Sequence, residues 1–225
     1  MKTFTIVIPT TKDLVGITDI TVENPTVSCV ICVNNDLESL PISSQYDNFV
    51  KSPTGIIEKI TGNSSFRIDL SNKIDQGDSW QLALAIAHIL HHNNKLTLSK
   101  DKDLINNETE SIIWATGLID SNLSINPITF LEQKFLLSLD FFKLCIKKNI
   151  KISIILSSDN KNEFTDIFNK INFLNEAVSD KKIEIIFIDN LKTFLLKFNL
   201  KHLIKTNNTH SFLYSKIKNK LKWTC

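Results

Sequence analysis

Along residues 4–8 apolar and polar positions alternate with the period of two that a strand imposes, and the run ends at Pro9. A second strand is expected over 27–33, closed by Asn34-Asn35-Asp36, and 39–47, with Pro41, reads as loop. Alternation returns over 65–70. A polar turn over 71–78 then leads into a helical run over 80–92, followed by a polar, charged surface loop over 93–110. The second half alternates more regularly. It predicts a strand over 111–115, a long helix over 129–148 after Pro127, a buried strand over 151–156, a helix over 160–178, a strand over 182–188 and a helix over 191–203. Strand and helix in turn is the order of an α/β sheet. No internal repeat and no Pro- or Gly-rich linker divides the chain. The expectation is one principal α/β (α+β) domain over 51–203. Residues 1–50 form an N-terminal β-rich extension, as an added lobe or as extra strands, and 204–225 form a basic C-terminal tail.

Composition narrows the function classes. With 42% hydrophobic residues, a mean hydropathy of −0.02 and a net charge of +2, the chain has the make-up of an ordinary soluble domain. No run approaches the roughly 18 apolar residues of a spanning helix, and the N-terminus lacks the features of a signal peptide, so the expected location is cytoplasmic. The end of the chain carries lysines at 201, 205, 216, 218, 220 and 222 and no acidic residue. Such a tail suits nucleic acid or an anionic surface. Arg67 is the only arginine and no aromatic platform accompanies the lysines, which weighs against nucleic-acid readout.

Two groups invite a metal reading and do not sustain it. Cys29 and Cys32 have CxxC spacing, but in an apolar strand residues three apart face opposite ways, and no second pair or nearby histidine completes a zinc site. They read as small strand residues. His88, His91 and His92 share a helix, but the run lacks the glutamate of His-Glu-x-x-His and reads as polar residues at a helix end. Neither a metal nor a cofactor is expected.

Two other segments carry chemistry. In Gln76-Gly77-Asp78-Ser79-Trp80-Gln81 the chain turns at Gly77 and a helix starts near Ser79. A serine there has free N–H groups and a helix dipole beside it, which suits an oxyanion. Asp78 and Gln81 also have capping-box spacing, under which Ser79 is only a first-turn residue. On the helix after Pro127, at about 100° per residue, Lys134 falls away from the polar arc of Glu132, Gln133, Asp140, Lys143, Lys147 and Lys148. It is flanked instead by Leu131, Phe135, Phe141 and Phe142. Desolvation there lowers a lysine pKa and frees a neutral amine to take a serine proton. The alternative is a lysine that snorkels to the surface.

Together these segments resemble the proteolytic domain of the Lon proteases. In that family a Gly-x-Ser turn opens an alanine-rich helix, a Thr-Gly segment follows, and Pro-(Ile/Val)-Gly-Gly-x-x-x-Lys ends on the dyad lysine. Gly77-Asp78-Ser79, Thr116-Gly117 and Pro127-Ile128-Thr129-Phe130-Leu131-Glu132-Gln133-Lys134 match in that order, over about residues 55–200. The resemblance implies the Lon proteolytic-domain fold (of the ribosomal protein S5 domain 2-like type), with Ser79 as nucleophile, Lys134 as general base and Thr116 orienting the lysine. Gly77, Asp78 and Trp80 become candidates for the oxyanion site or substrate groove. The implied activity is hydrolysis of peptide bonds in a protein or peptide substrate. The chain departs from the pattern at Thr129 and Phe130, where the family has glycines, and at Trp80 and Gln81, where it has small residues. It also lacks Gly-x-x-x-x-Gly-Lys-(Ser/Thr), so no ATPase motor is encoded in it. The expected enzyme is ATP-independent, possible as a homo-oligomer, with any substrate delivery left to a separate partner. The alternatives are an inactive Lon-like domain that binds peptides or partners, and a nucleic-acid binder using the tail.

Overall fold

The computed structural model describes residues 2–74, 76–100 and 103–200. Seven strands form one sheet in the order β3 (Val30–Val33), β4 (Phe66–Leu70), β2 (Leu14–Val22), β1 (Thr5–Pro9), β5 (Ser111–Ala115), β8 (Lys151–Ser157) and β9 (Ile183–Ile188). Only β2 runs against the others; β1, β5, β8 and β9 pair in parallel, as do β3 and β4. The class is therefore mixed α/β with a mostly parallel sheet. Of the two forms expected for residues 1–50, the chain adopts the extra strands: β1 lies at the middle of the sheet between β2 and β5.

Both faces of the sheet are covered, and alternation along each strand feeds two cores. Ile6, Ile8, Ile113 and Ala115 point into one, while Val7, Ile112, Trp114, Ile152 and Ile154 point into the other. The first core holds α1 (Ser43–Val50), α2 (Ile57–Thr61), α3 (Gln81–His92) and α7 (Leu191–Lys197). The second holds α4 (Leu131–Lys147), α5 (Lys161–Lys170) and α6 (Asn172–Ser179). A two-strand ribbon, β6 (Leu118–Ile119) with β7 (Ile125–Asn126), connects β5 to α4.

Several elements differ from the sequence reading. The segment expected as loop over 39–47 runs into α1, because Tyr46, Phe49 and Val50 fall on one helical face and bury it. β2, which mixes Thr and Asp with its apolar residues, was not anticipated. The helix expected over 160–178 is two, broken at Ile171, whose backbone is extended (φ −117°, ψ 90°). α4 starts at Leu131 rather than Thr129, because Phe130 is left-handed (φ 59°, ψ 33°). α7 ends at Lys197, so the helix expected to 203 is shorter within the described residues. Residues 201–203 and the basic tail over 204–225 lie outside them. No helix among the described residues is long and apolar enough to cross a membrane.

Candidate active site

The first turns of α3 and α4 approach each other from opposite faces of the sheet, at the carboxyl ends of β4 and β5. Open α/β sheets place their ligand crevices beyond those strand ends. Ser79 stands in the turn ahead of α3, Thr116 directly follows β5, and Lys134 lies in the first turn of α4. The three side chains meet. Lys134 Nζ is 2.7 Å from Ser79 Oγ and 2.9 Å from Thr116 Oγ1, and the Thr116 hydroxyl donates to the Ser79 carbonyl at 3.2 Å.

The Lys134 side chain does not snorkel. It is 3% exposed, between Leu131 and Phe135, which are fully buried. Burial pulls its pKa from 10.5 to about 8, because the charged form loses hydration. A second tier of bonds fixes this helix face. Ser138, one turn on, donates to the Lys134 carbonyl at 2.6 Å and accepts from the Trp114 indole at 2.9 Å, tying α4 to β5.

The turn ahead of Ser79 is set by its neighbours. Gly77 has φ +83°, the left-handed region that glycine enters without penalty. The Trp80 indole N–H donates to the Gly77 carbonyl at 2.6 Å. Its ring is 2% exposed, edge-on to Tyr46 and Phe49. Trp80 is thus a core residue that clamps the turn, and it also contributes to the lining of the cleft beside Ser79. Asp78 is exposed at the mouth. It is not half of a side-chain capping box: Gln81 N–H bonds the Asp78 carbonyl, and the Gln81 side chain accepts from Ile119 N–H at 2.9 Å. The N–H groups of Asp78, Ser79 and Trp80 make no hydrogen bond to another described residue.

These residues line a cleft of about 440 Å³. Its polar end carries Ser79, Lys134 and Asp78; its apolar walls are Ile8, Ile74, Leu118, Ile128 and Phe130. The loop that carries Phe130 is pinned from beneath. The buried Asn160 side chain accepts from Ile128 N–H and donates to Ile128 C=O, both at 3.0 Å.

Elsewhere, His88 is not a surface polar residue at a helix end. It is 1% exposed, bonded through Nε2 to the Tyr46 hydroxyl at 2.8 Å, with burial pushing its pKa down to about 3. Cys29 and Cys32 are buried free thiols, and Cys29 Sγ accepts from Phe66 N–H. Ser138 and the bond of Asn160 to Ile128 were not singled out in the sequence, and Gln81 was read there only as a capping-box partner of Asp78, not as the acceptor of Ile119 N–H. Ser138 alone leaves a signal there: a serine four residues after Lys134 on the same apolar face. Compared with known proteins, the chain matches no family model and no curated protein.

Proposed function

We propose that the chain is a serine–lysine peptidase with the fold and dyad of the Lon proteolytic domain, acting without ATP. The observation that carries this reading is the 2.7 Å contact between Ser79 Oγ and a buried Lys134 whose pKa is drawn down to about 8. In its neutral form Lys134 takes the Ser79 proton as Oγ attacks the scissile carbonyl. Thr116 accepts a Lys134 N–H and donates to the Ser79 carbonyl, which aims the amine lone pair at Oγ. The N–H groups of Asp78, Ser79 and Trp80 supply donors for the tetrahedral oxyanion. Lys134, now an ammonium, passes the proton to the leaving amine. Water, deprotonated by the same lysine, then releases the acyl group and restores Ser79.

The order of Gly77-Asp78-Ser79, Thr116-Gly117 and Pro127 to Lys134 supports the Lon assignment. The lack of a nucleotide loop in the chain supports ATP independence and leaves any unfolding of substrates to a separate partner. A second reading, a Lon-like domain that binds peptides without cutting them, draws on one observation: Phe130 stands exposed in the cleft where the family motif has glycine.

A fluorophosphonate probe separates the two. The peptidase reading expects stoichiometric labelling of Ser79, faster at pH 9 than at pH 7, together with degradation of unfolded casein that Ser79→Ala abolishes. A folded chain that neither labels nor degrades is not a peptidase.

A further inference from the structure

Phe130 combines three features that packing does not account for. Its backbone is left-handed (φ 59°, ψ 33°), which disfavours any side chain with a Cβ. It occupies the N-cap of α4, a position that favours Ser, Thr, Asp or Asn, and offers no side-chain bond to the helix. Its ring is 66% exposed, and it is the only aromatic among the large exposed hydrophobics of the described residues. A lone exposed apolar residue is ordinary. One held in a strained backbone on a braced loop, beside a nucleophile, is a different matter. Asn160 grips Ile128 two residues earlier, and the Phe130 carbonyl accepts from Lys134 N–H at 3.2 Å, so the ring is displayed from a rigid support.

We infer that Phe130 is a specificity-determining residue: its ring packs against a large apolar or aromatic side chain adjacent to the bond presented to Ser79. The occupant is an extended peptide, and the inference rests on the peptidase reading for its placement of the scissile bond. Ile128, Ile74 and Leu118 line the same cleft as the ring. The bound side chain is therefore enclosed between Phe130 and the cleft floor, with the reacting carbonyl turned towards Ser79 and Lys134. Backbone strain at a functional position is tolerated where the surrounding structure holds it in place.

The test uses the full chain and two aminoalkyl diphenyl phosphonates, one with a benzyl side chain and one with a methyl. In each, Ser79 Oγ bonds to phosphorus, phenoxide leaves, and the serine proton passes through Lys134 to the leaving phenol. The wild type is expected to react with the benzyl reagent about five- to tenfold faster than with the methyl reagent. Phe130→Ala and Phe130→Gly should both bring the ratio of the benzyl to the methyl rate to about one. Only Phe130→Gly should also raise the melting temperature, because it alone relieves the left-handed strain. Labelling with an unchanged benzyl preference in both variants would overturn the inference and leave the peptidase reading intact. No labelling of the wild type would overturn the peptidase reading. The ring is then judged on the Ser79→Ala chain, by anisotropy of fluorescein-labelled Gly/Ser decapeptides bearing one central Phe or Ala. Tighter binding of the Phe peptide that disappears in Ser79→Ala/Phe130→Gly sustains the role of the ring; equal binding of both peptides ends it.

Discussion

Ser79 stands just ahead of α3 and Lys134 lies on α4, helices on opposite faces of one sheet, and their side chains meet at 2.7 Å beyond the ends of β4 and β5. The amine comes from the second core and the hydroxyl from the first, with Thr116 between them on the strand end. Because the lysine is buried and no carboxylate among the described residues is bonded to it, desolvation lowers its pKa.

Cleavage should therefore rise with pH through about 8 and level off above it. At pH 7 the rate should be about a tenth of the plateau, the fraction of Lys134 that is neutral. A kcat/KM profile between pH 5.5 and 10 checks this; a midpoint below 6.5 would mean that another group sets the rate.

The same shift has a thermodynamic side. The unfolded chain keeps the ordinary lysine value of 10.5, so between about pH 8 and 10.5 it binds the extra proton and stability rises with pH. Below 8 both states are protonated, and burying the ammonium costs roughly 3 kcal/mol. Lys134→Met should abolish the proposed cleavage and raise the melting temperature at pH 7. Lys134→Arg should inactivate without the gain, since guanidinium stays charged. Melting curves for the three proteins at pH 7 decide it, and a destabilised Lys134→Met would show that the bonds to Ser79 and Thr116 outweigh the desolvation.

Thr116→Val keeps the shape of the side chain and removes both of its bonds, to Lys134 and to the Ser79 carbonyl. We expect kcat to fall about 10- to 100-fold with KM within twofold, and stability to drop by about 1 kcal/mol. An unchanged kcat assigns Thr116 to structure alone.

Trp80→Phe preserves much of the packing against Tyr46 and Phe49 but deletes the indole N–H that holds the Gly77 carbonyl. The turn that presents Ser79 should loosen, with a fall in kcat of about tenfold and a stability loss of about 1–2 kcal/mol. Chemical denaturation alongside kinetics separates the two effects. A variant that loses stability but no activity would show that the clamp serves only the core.

Acid should unfold the protein through His88. Its folded value is about 3 against 6.5 in the unfolded chain, so the unfolded state takes the proton first and stability falls as pH drops from 6.5 towards 3, by roughly 4 kcal/mol in all. Replacing the bonded pair together, Tyr46→Phe with His88→Leu, removes both polar groups and should flatten this limb. An equally steep acid limb in the double variant would place the sensitivity elsewhere.

What could be read from the chain and what could not follows from the range of the interactions. β5 was delimited from its own apolar run, and the wheel of α4 put Lys134 on an apolar face, because both are local periodicities; whether its ammonium stays buried or snorkels out depends on Ser79 and Thr116, which the wheel does not contain. The left-handed Phe130 and the break at Ile171 depend on which neighbours the segment meets, so α4 and the 160–178 stretch were drawn too long. α1 was missed because its helical spacing of Tyr46, Phe49 and Val50 follows Pro41 and a polar stretch. His88 was misplaced for a similar reason. A histidine at a helix end looks solvated until Tyr46, 42 residues away, supplies the partner that lets it be buried. The roles of Asn160 and of the Gln81 side chain are long-range bonds to backbone groups, which leave no trace in a hydrophobic pattern.

Gly117 gives the site an asymmetry of its own. Its N–H binds the Ser79 carbonyl and its carbonyl accepts Leu82 N–H, so the end of β5 and the start of α3 are sewn together through the backbone. A Cβ at that position would come within 3.0 Å of the Leu82 side chain, so the seam has little slack. Lys134 reaches this seam only by its side chain, on a helix located by Trp114 on Ser138 and by Gln133 on Thr11. Ser79 is thus welded in place while Lys134 is held at arm's length. On the proposed mechanism, a wedge that lifted α4 by an ångström or two would disarm Ser79 without moving it, and an inhibitor aimed there would act as a safety catch rather than a plug.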